Sequence, residues 1–353
     1  MVPLFKPYMS KNISQLNEIL YSGALSYGKW GRQFESELSN MIGHPQILAV
    51  NSYNIAILVV LSALDLQPGD EIIASPVSCL ASNQPFITKR LKIIWTDVDP
   101  NTGTLDPADV RSKITGKTKV IMHNHFCGYP GYINEINAIG KEFGITVIDD
   151  CIEAFGSSYN GRLLGNCDTD ISIFSFQPVR LPNTIDGGAI SFKNKTLYEK
   201  AAIIRDYGIN RSQFRDSMNE ISPNCDIALE GYGALMSDVN AYIGVSQMPE
   251  LLQLLSKQRS NAEQWKENLS ERYPDMRMLG NRKEINPNYW VFSVLSKDKD
   301  QLMKSFREEG FYASGVHINN NIYSAFGQQE ELKGVKEFMS THLALPCGWW
   351  MNQ

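Results

Sequence analysis

No block of like charge interrupts this 353-residue chain: 33 lysines and arginines are interspersed with 38 acidic residues, for a net charge of −5. Nucleic acid is therefore not expected as the main partner, because a phosphate backbone calls for a basic face. A basic pocket for one phosphorylated small molecule stays compatible. No apolar run reaches the length of a membrane span, and Ile55–Leu66 reads as a buried helix. Met1–Tyr21 lacks the basic start and apolar stretch of a signal peptide. The six cysteines (Cys79, Cys127, Cys151, Cys167, Cys225, Cys347) contain no C-x-x-C pair, and the five histidines do not fall at ligand spacing near them. No metal is expected. The thiols read as reduced, in a cytoplasmic protein.

What is present is ordinary for a globular chain, with 43% hydrophobic residues. Short runs rich in Ile and Val predict strands over Ile47–Val50, Glu71–Ser75, Lys92–Val98, Lys119–Asn124, Thr146–Asp150, Ile171–Phe176 and Gly188–Phe192. Between them lie helical patterns at Lys11–Leu20, Asn54–Leu66 and Tyr132–Phe143. This alternation predicts an α/β domain with a mostly parallel central sheet, over residues 1–246. From residue 247 the pattern changes. A long helix (Met248–Leu269), a strand (Tyr289–Leu295), a helix (Asp300–Glu309) and a strand (Tyr312–Ile318) predict a small C-terminal α+β domain over 247–353. The last stretch, Pro346–Trp350, has no closing helix and reads as an abrupt, shortened end.

Ligands of parallel sheets sit at the carboxyl ends of the strands, so the loops there carry the chemistry. One strand ends in Asp149-Asp150, with Glu153 three residues on. A carboxylate there suits a pyridinium N–H, although a solvated acidic turn or a helix cap fits the same residues. A second stretch, Phe174-Ser175-Phe176 through Arg180 to Asp186-Gly187-Gly188, offers Ser175 and Arg180 to a phosphate. An ordinary connection with a solvent-facing arginine fits equally. A third, Asn51-Ser52-Tyr53-Asn54, opens a helix whose free N–H groups favour an anion, or is a plain capped βα turn.

Together, in this order and spacing, these stretches resemble the DegT/DnrJ/EryC1/StrS aminotransferases. The resemblance also takes in Pro68-Gly69-Asp70-Glu71, Asp97-Val98-Asp99-Pro100, Gly128-Tyr129-Pro130, Arg205-Asp206-Tyr207-Gly208 and Gly231-Tyr232, and so covers nearly the whole chain. It implies a fold-type-I transferase, a homodimer, a nucleotide-linked keto sugar as substrate, and a setting in cytoplasmic polysaccharide or secondary-metabolite synthesis. It implies pyridoxal phosphate or pyridoxamine phosphate as cofactor. Asp150 would then pair with the pyridine nitrogen, Glu153 would lie beside the ring, and Ser175 with the Ser52–Asn54 turn would hold the phosphate. His317 falls where the family places substrate-facing residues.

Four positions depart from the family pattern. Its Schiff-base lysine belongs at Arg180, and an arginine presents no neutral amine to an aldehyde. Tyr53-Asn54 replaces a small Gly-Thr and crowds the phosphate cup. Gly233 replaces an asparagine that reaches across subunits, and Cys79 stands where many relatives stack an aromatic ring. Four readings stay open: an engineered change at Arg180 that traps a cofactor in an active transaminase; a lysine-free dehydratase using pyridoxamine phosphate, with His123, His125 or His317 as base; a non-catalytic binder of a nucleotide sugar or another phosphorylated ligand; and a different reaction in the same cleft, run by Asp149, Asp150, Glu153 or a histidine.

Overall fold

The apolar runs pair into one seven-stranded sheet in the computed structural model, which describes residues 1–274, 276–327 and 331–351. In chain order the strands are β1 (Ile47–Val50), β2 (Glu71–Ala74), β3 (Lys92–Trp95), β4 (Thr118–Asn124) and β5 (Thr146–Cys151). A short ribbon, β6 (Ser158–Tyr159) and β7 (Arg162–Leu163), precedes β8 (Ile171–Ser175) and β9 (Gly188–Phe192). Across the sheet the order is β1-β9-β8-β5-β4-β2-β3. Only β9 opposes its neighbours; β8, β5, β4, β2 and β3 pair in parallel. Every residue of β5 except its first is buried, as a sheet covered on both faces requires.

The helices are α1 (Leu16–Tyr21), α2 (Lys29–Ile42), α3 (Tyr53–Ala63), α4 (Leu80–Thr88), α5 (Pro107–Lys113), α6 (Ile133–Phe143), α7 (Lys195–Ile204) and α8 (Asp238–Arg272). α3 is apolar almost all round and lies buried against the sheet. It starts where it does because the Ser52 side chain caps it, accepting from the Ile55 N–H at 3.3 Å. α2 stops at Gly43, whose φ of 76° turns the chain out of the helix. α8 begins ten residues before the expected start, because Ser237 caps it through the Asn240 N–H.

A second sheet, β10 (Arg277–Met278), β12 (Phe292–Leu295) and β13 (His342–Leu345), packs with α9 (Lys299–Glu308) and α10 (Lys333–Thr341). β11 (Ile285–Asn286) extends the β6–β7 ribbon. Two expectations are corrected here. Lys11–Leu20 is helical only from Leu16, since Ser10 Oγ takes the Asn12 N–H and holds the start in a turn. Tyr312–Ile318 is not a strand. It makes one bridge, Ser314 to Ala344, and then turns at Val316, whose φ is +65°. That turn places His317 toward the carboxyl ends of the main sheet.

Candidate active site

Asp150 closes β5 and is buried. Its Oδ1 accepts from the Tyr53 hydroxyl at 2.5 Å and from the Ile152 N–H at 3.1 Å; its Oδ2 accepts from Ser78 Oγ at 3.1 Å. Tyr53, the first residue of α3, is wholly buried, and its hydroxyl also lies 3.1 Å from Ser82 Oγ. Burial raises the Asp150 carboxyl above its ordinary range, against hydrogen bonds from Tyr53, Ser82 and Ile152 that lower it. Burial, then the Asp150 charge, pushes the Tyr53 phenol well up, so it stays neutral and donates.

Glu153 forms the second half of the cleft. Its Oε1 is 2.7 Å from His317 Nε2 and 3.6 Å from Arg180 Nη2, while Oε2 accepts from the Cys127 N–H at 2.7 Å. Burial alone would raise this carboxyl, but His317, Arg180 and the Cys127 amide together hold it below its ordinary range. The Arg180 guanidinium lies over the Trp290 ring, 4.1 Å from its centre. Arg180 is 6% exposed, and its Nε and Nη1 have no hydrogen-bond partner.

Ser175 ends β8, buried, and takes the Gln177 N–H at 3.4 Å. With Glu153, Arg180, Trp290, Trp349 and Lys6 it lines a space of about 20 Å³, room for one water. Lys6 is the one lysine among the described residues lining it. Cys79 stands at the start of α4, half-buried, its thiol pushed up to about 11 by burial and then by Glu153.

The cleft therefore brings together Tyr53, Cys79, Asp150, Glu153, Ser175, Arg180 and His317. Ser52 serves as the cap of α3, and Asn54 Nδ2 donates to Ala81 O at 2.9 Å. Gly233 belongs to another group: its carbonyl accepts from Asn51 Nδ2 at 2.9 Å. His123 and His125 lie with Asp149 on the opposite face of β5 and are fully buried, so His317 is the one of the three histidines in the cleft. Ser78 and Ser82 escaped the sequence reading, although two hydroxyls four residues apart at a helix start are a usable signal. Trp290 left no local signal; only the fold carries it under Arg180.

A family model, the DegT/DnrJ/EryC1/StrS aminotransferase family, matches residues 8–353. Among solved structures, the sugar aminotransferase CalS13 from Micromonospora echinospora superposes with a TM-score of 0.93 at 26% identity, over 100% of this chain and 96% of that one. AtS13 from Actinomadura melliaura gives 0.93 at 29%, over 100% and 95%. The fold is that of fold-type-I aminotransferases. It is shared with Spr1654 of Streptococcus pneumoniae in its PMP form (0.88, 20% identity, 99% and 94% covered), a protein also solved with PLP. Pyridoxal phosphate or pyridoxamine phosphate is thus the cofactor associated with this family. Among the described residues no helix is long and apolar enough to cross a membrane.

Proposed function

The chain belongs to the DegT/DnrJ/EryC1/StrS aminotransferase family, and on that footing we propose that it engages a nucleotide-linked keto sugar without forming a Schiff base to itself. The observation that carries this is Arg180. It lies buried between Glu153 and Trp290, in the cleft where the resemblance puts the lysine. A guanidinium stays protonated at physiological pH and presents no amine lone pair.

The family's cofactor supplies an electron sink when bound. The residues of this cleft do not fit it as they stand. Both Asp150 oxygens are engaged by the chain's own donors, and the space beside Ser175 and Arg180 holds about one water. The chemistry open to the site is that of its side chains. Arg180 offers fixed positive charge and two unpaired donors, which suits an anionic or carbonyl oxygen. His317 and Glu153, 2.7 Å apart, can share or pass a proton at Nε2.

The test is calorimetric titration with UDP- and dTDP-linked hexoses, beside borohydride treatment in the presence of pyridoxal phosphate. Saturable sugar-nucleotide binding with no reduced label in the cleft peptides is expected. Absence of binding, or a label there, overturns the reading; saturable uptake of pyridoxamine phosphate favours a lysine-free dehydratase. We also infer a cytoplasmic homodimer. The family resemblance is what supports this. Sedimentation at twice 39.7 kDa is the expected result and a single-chain mass the overturning one.

A further inference from the structure

Tyr53 is an unusual residue to find at the head of a buried helix beside a buried carboxylate. It follows the cap Ser52, so its Cα sits at the free N–H groups of α3, the place where a helix offers itself to an anion. From there the side chain spans the cleft to Asp150. The ring is wholly buried, and the hydroxyl is held by Asp150 at 2.5 Å and Ser82 at 3.1 Å. One aromatic side chain thus runs from an anion-binding turn to a carboxylate that accepts a proton donor. A phosphorylated pyridine would make the same two contacts.

We propose that Tyr53 is a built-in substitute for the cofactor ring: its phenol takes the Asp150 contact, and this chain admits neither pyridoxal phosphate nor pyridoxamine phosphate. The proposal rests on reading the cleft as the family's cofactor site. Three observations support it. Both Asp150 oxygens already accept from the chain itself, Oδ1 from Tyr53 and the Ile152 amide and Oδ2 from Ser78. The open space at Ser175 and Arg180 is about 20 Å³, whereas a dry cavity of about 150 Å³ is what accommodates a ring as small as benzene. Moving Tyr53 aside would strip a buried carboxylate of its shortest hydrogen bond, with nothing gained unless the incoming ring replaced it. The exchange of the lysine for Arg180 then has a plain counterpart, because an amine has nothing to condense with when no aldehyde enters.

The experiment is a variant series titrated with pyridoxal phosphate and pyridoxamine phosphate, read by absorbance and by tryptophan quenching. Wild type and Tyr53→Phe, which keeps the ring, are expected to show no saturation into the millimolar range. Tyr53→Gly is expected to bind pyridoxamine phosphate at least about tenfold tighter than wild type. Tyr53→Gly combined with Arg180→Lys should form a borohydride-reducible adduct, in which the lysine Nζ condenses with the aldehyde carbon and one water leaves. Arg180→Lys alone should stay colourless. Saturation of the wild type, an adduct in the single Arg180→Lys variant, or a folded Tyr53→Gly that takes neither compound overturns the proposal. If Tyr53→Gly fails to fold, Tyr53→Ala opens similar room with a better helix former and decides in its place. Sugar-nucleotide titration of the same wild type separates the two readings: its failure sinks the sugar ligand and leaves the Tyr53 result standing.

Discussion

On β5, Asp149 points to one face of the sheet and Asp150 to the other, as neighbours on a strand must. Both are buried. Asp149 Oδ1 sits 3.3 Å from His123 Nδ1 and 3.3 Å from His125 Nε2. His125 Nδ1 accepts the Gly131 N–H at 3.0 Å, so its proton is on Nε2, facing the carboxylate. Burial would raise the Asp149 carboxyl, but the two imidazoles hold it far below its ordinary range. Asp150 has hydroxyls and one amide instead, and there burial prevails. The same side chain, one residue apart, is a fixed anion on one face and a readily protonated acid on the other. The kind of partner, imidazole on one face and hydroxyl on the other, decides which, not the number of donors or the depth of burial.

That contrast can be broken by mutation. Asp149→Ala leaves the His123 Nδ1–H without its acceptor and removes the carboxylate facing His125 Nε2, and should cost about 3 kcal/mol in urea unfolding. Asp150→Asn, which keeps an oxygen for Tyr53, should stay within about 0.5 kcal/mol of wild type; the reverse order would end the comparison. The pH profile sharpens it. Burial lowers His123 to about 4, whereas an unfolded histidine titrates near 6.5. Between those values the unfolded chain binds the extra proton, so stability falls as pH drops through 6.5 toward 4. The slope from this residue approaches about 1.4 kcal/mol per unit. Thermal melts of His123→Gln should be flatter in that window. A smaller effect is expected from Tyr53→Phe, about 1–2 kcal/mol, shrinking at low pH as Asp150 gains its own proton. Arg180→Met should cost about 1 kcal/mol for the lost stacking on Trp290, since Glu153 keeps His317 and the Cys127 amide.

The central sheet was legible because each strand is a short apolar run bounded by turn residues, and the structure moves most of those bounds by only a residue or two. The acids at the end of β5 and the loop after β8 could be placed for the same reason, since strand ends face the crevice. What could not be read was pairing at a distance. Nothing near Asp150 in the chain announces that a tyrosine 97 positions away will meet it. Nothing near Arg180 points to Trp290, 111 positions from the carbonyl its indole bonds. The 312–318 segment misled because its alternation suits a strand, while Val316, at a φ of +65°, turns the backbone the other way.

The helix α8 carries a consequence of another kind. It runs 35 residues, about 50 Å at the usual rise. Leu251 and Leu255 lie in the core beneath α2, and Ala262, Trp265 and Leu269 in the core beside the second sheet. One rod is therefore the middle of two cores. Recombination that joined the first part of this chain to a foreign second part would have to break inside the rod, and each half would inherit a hole where the other's leucines or tryptophan had been.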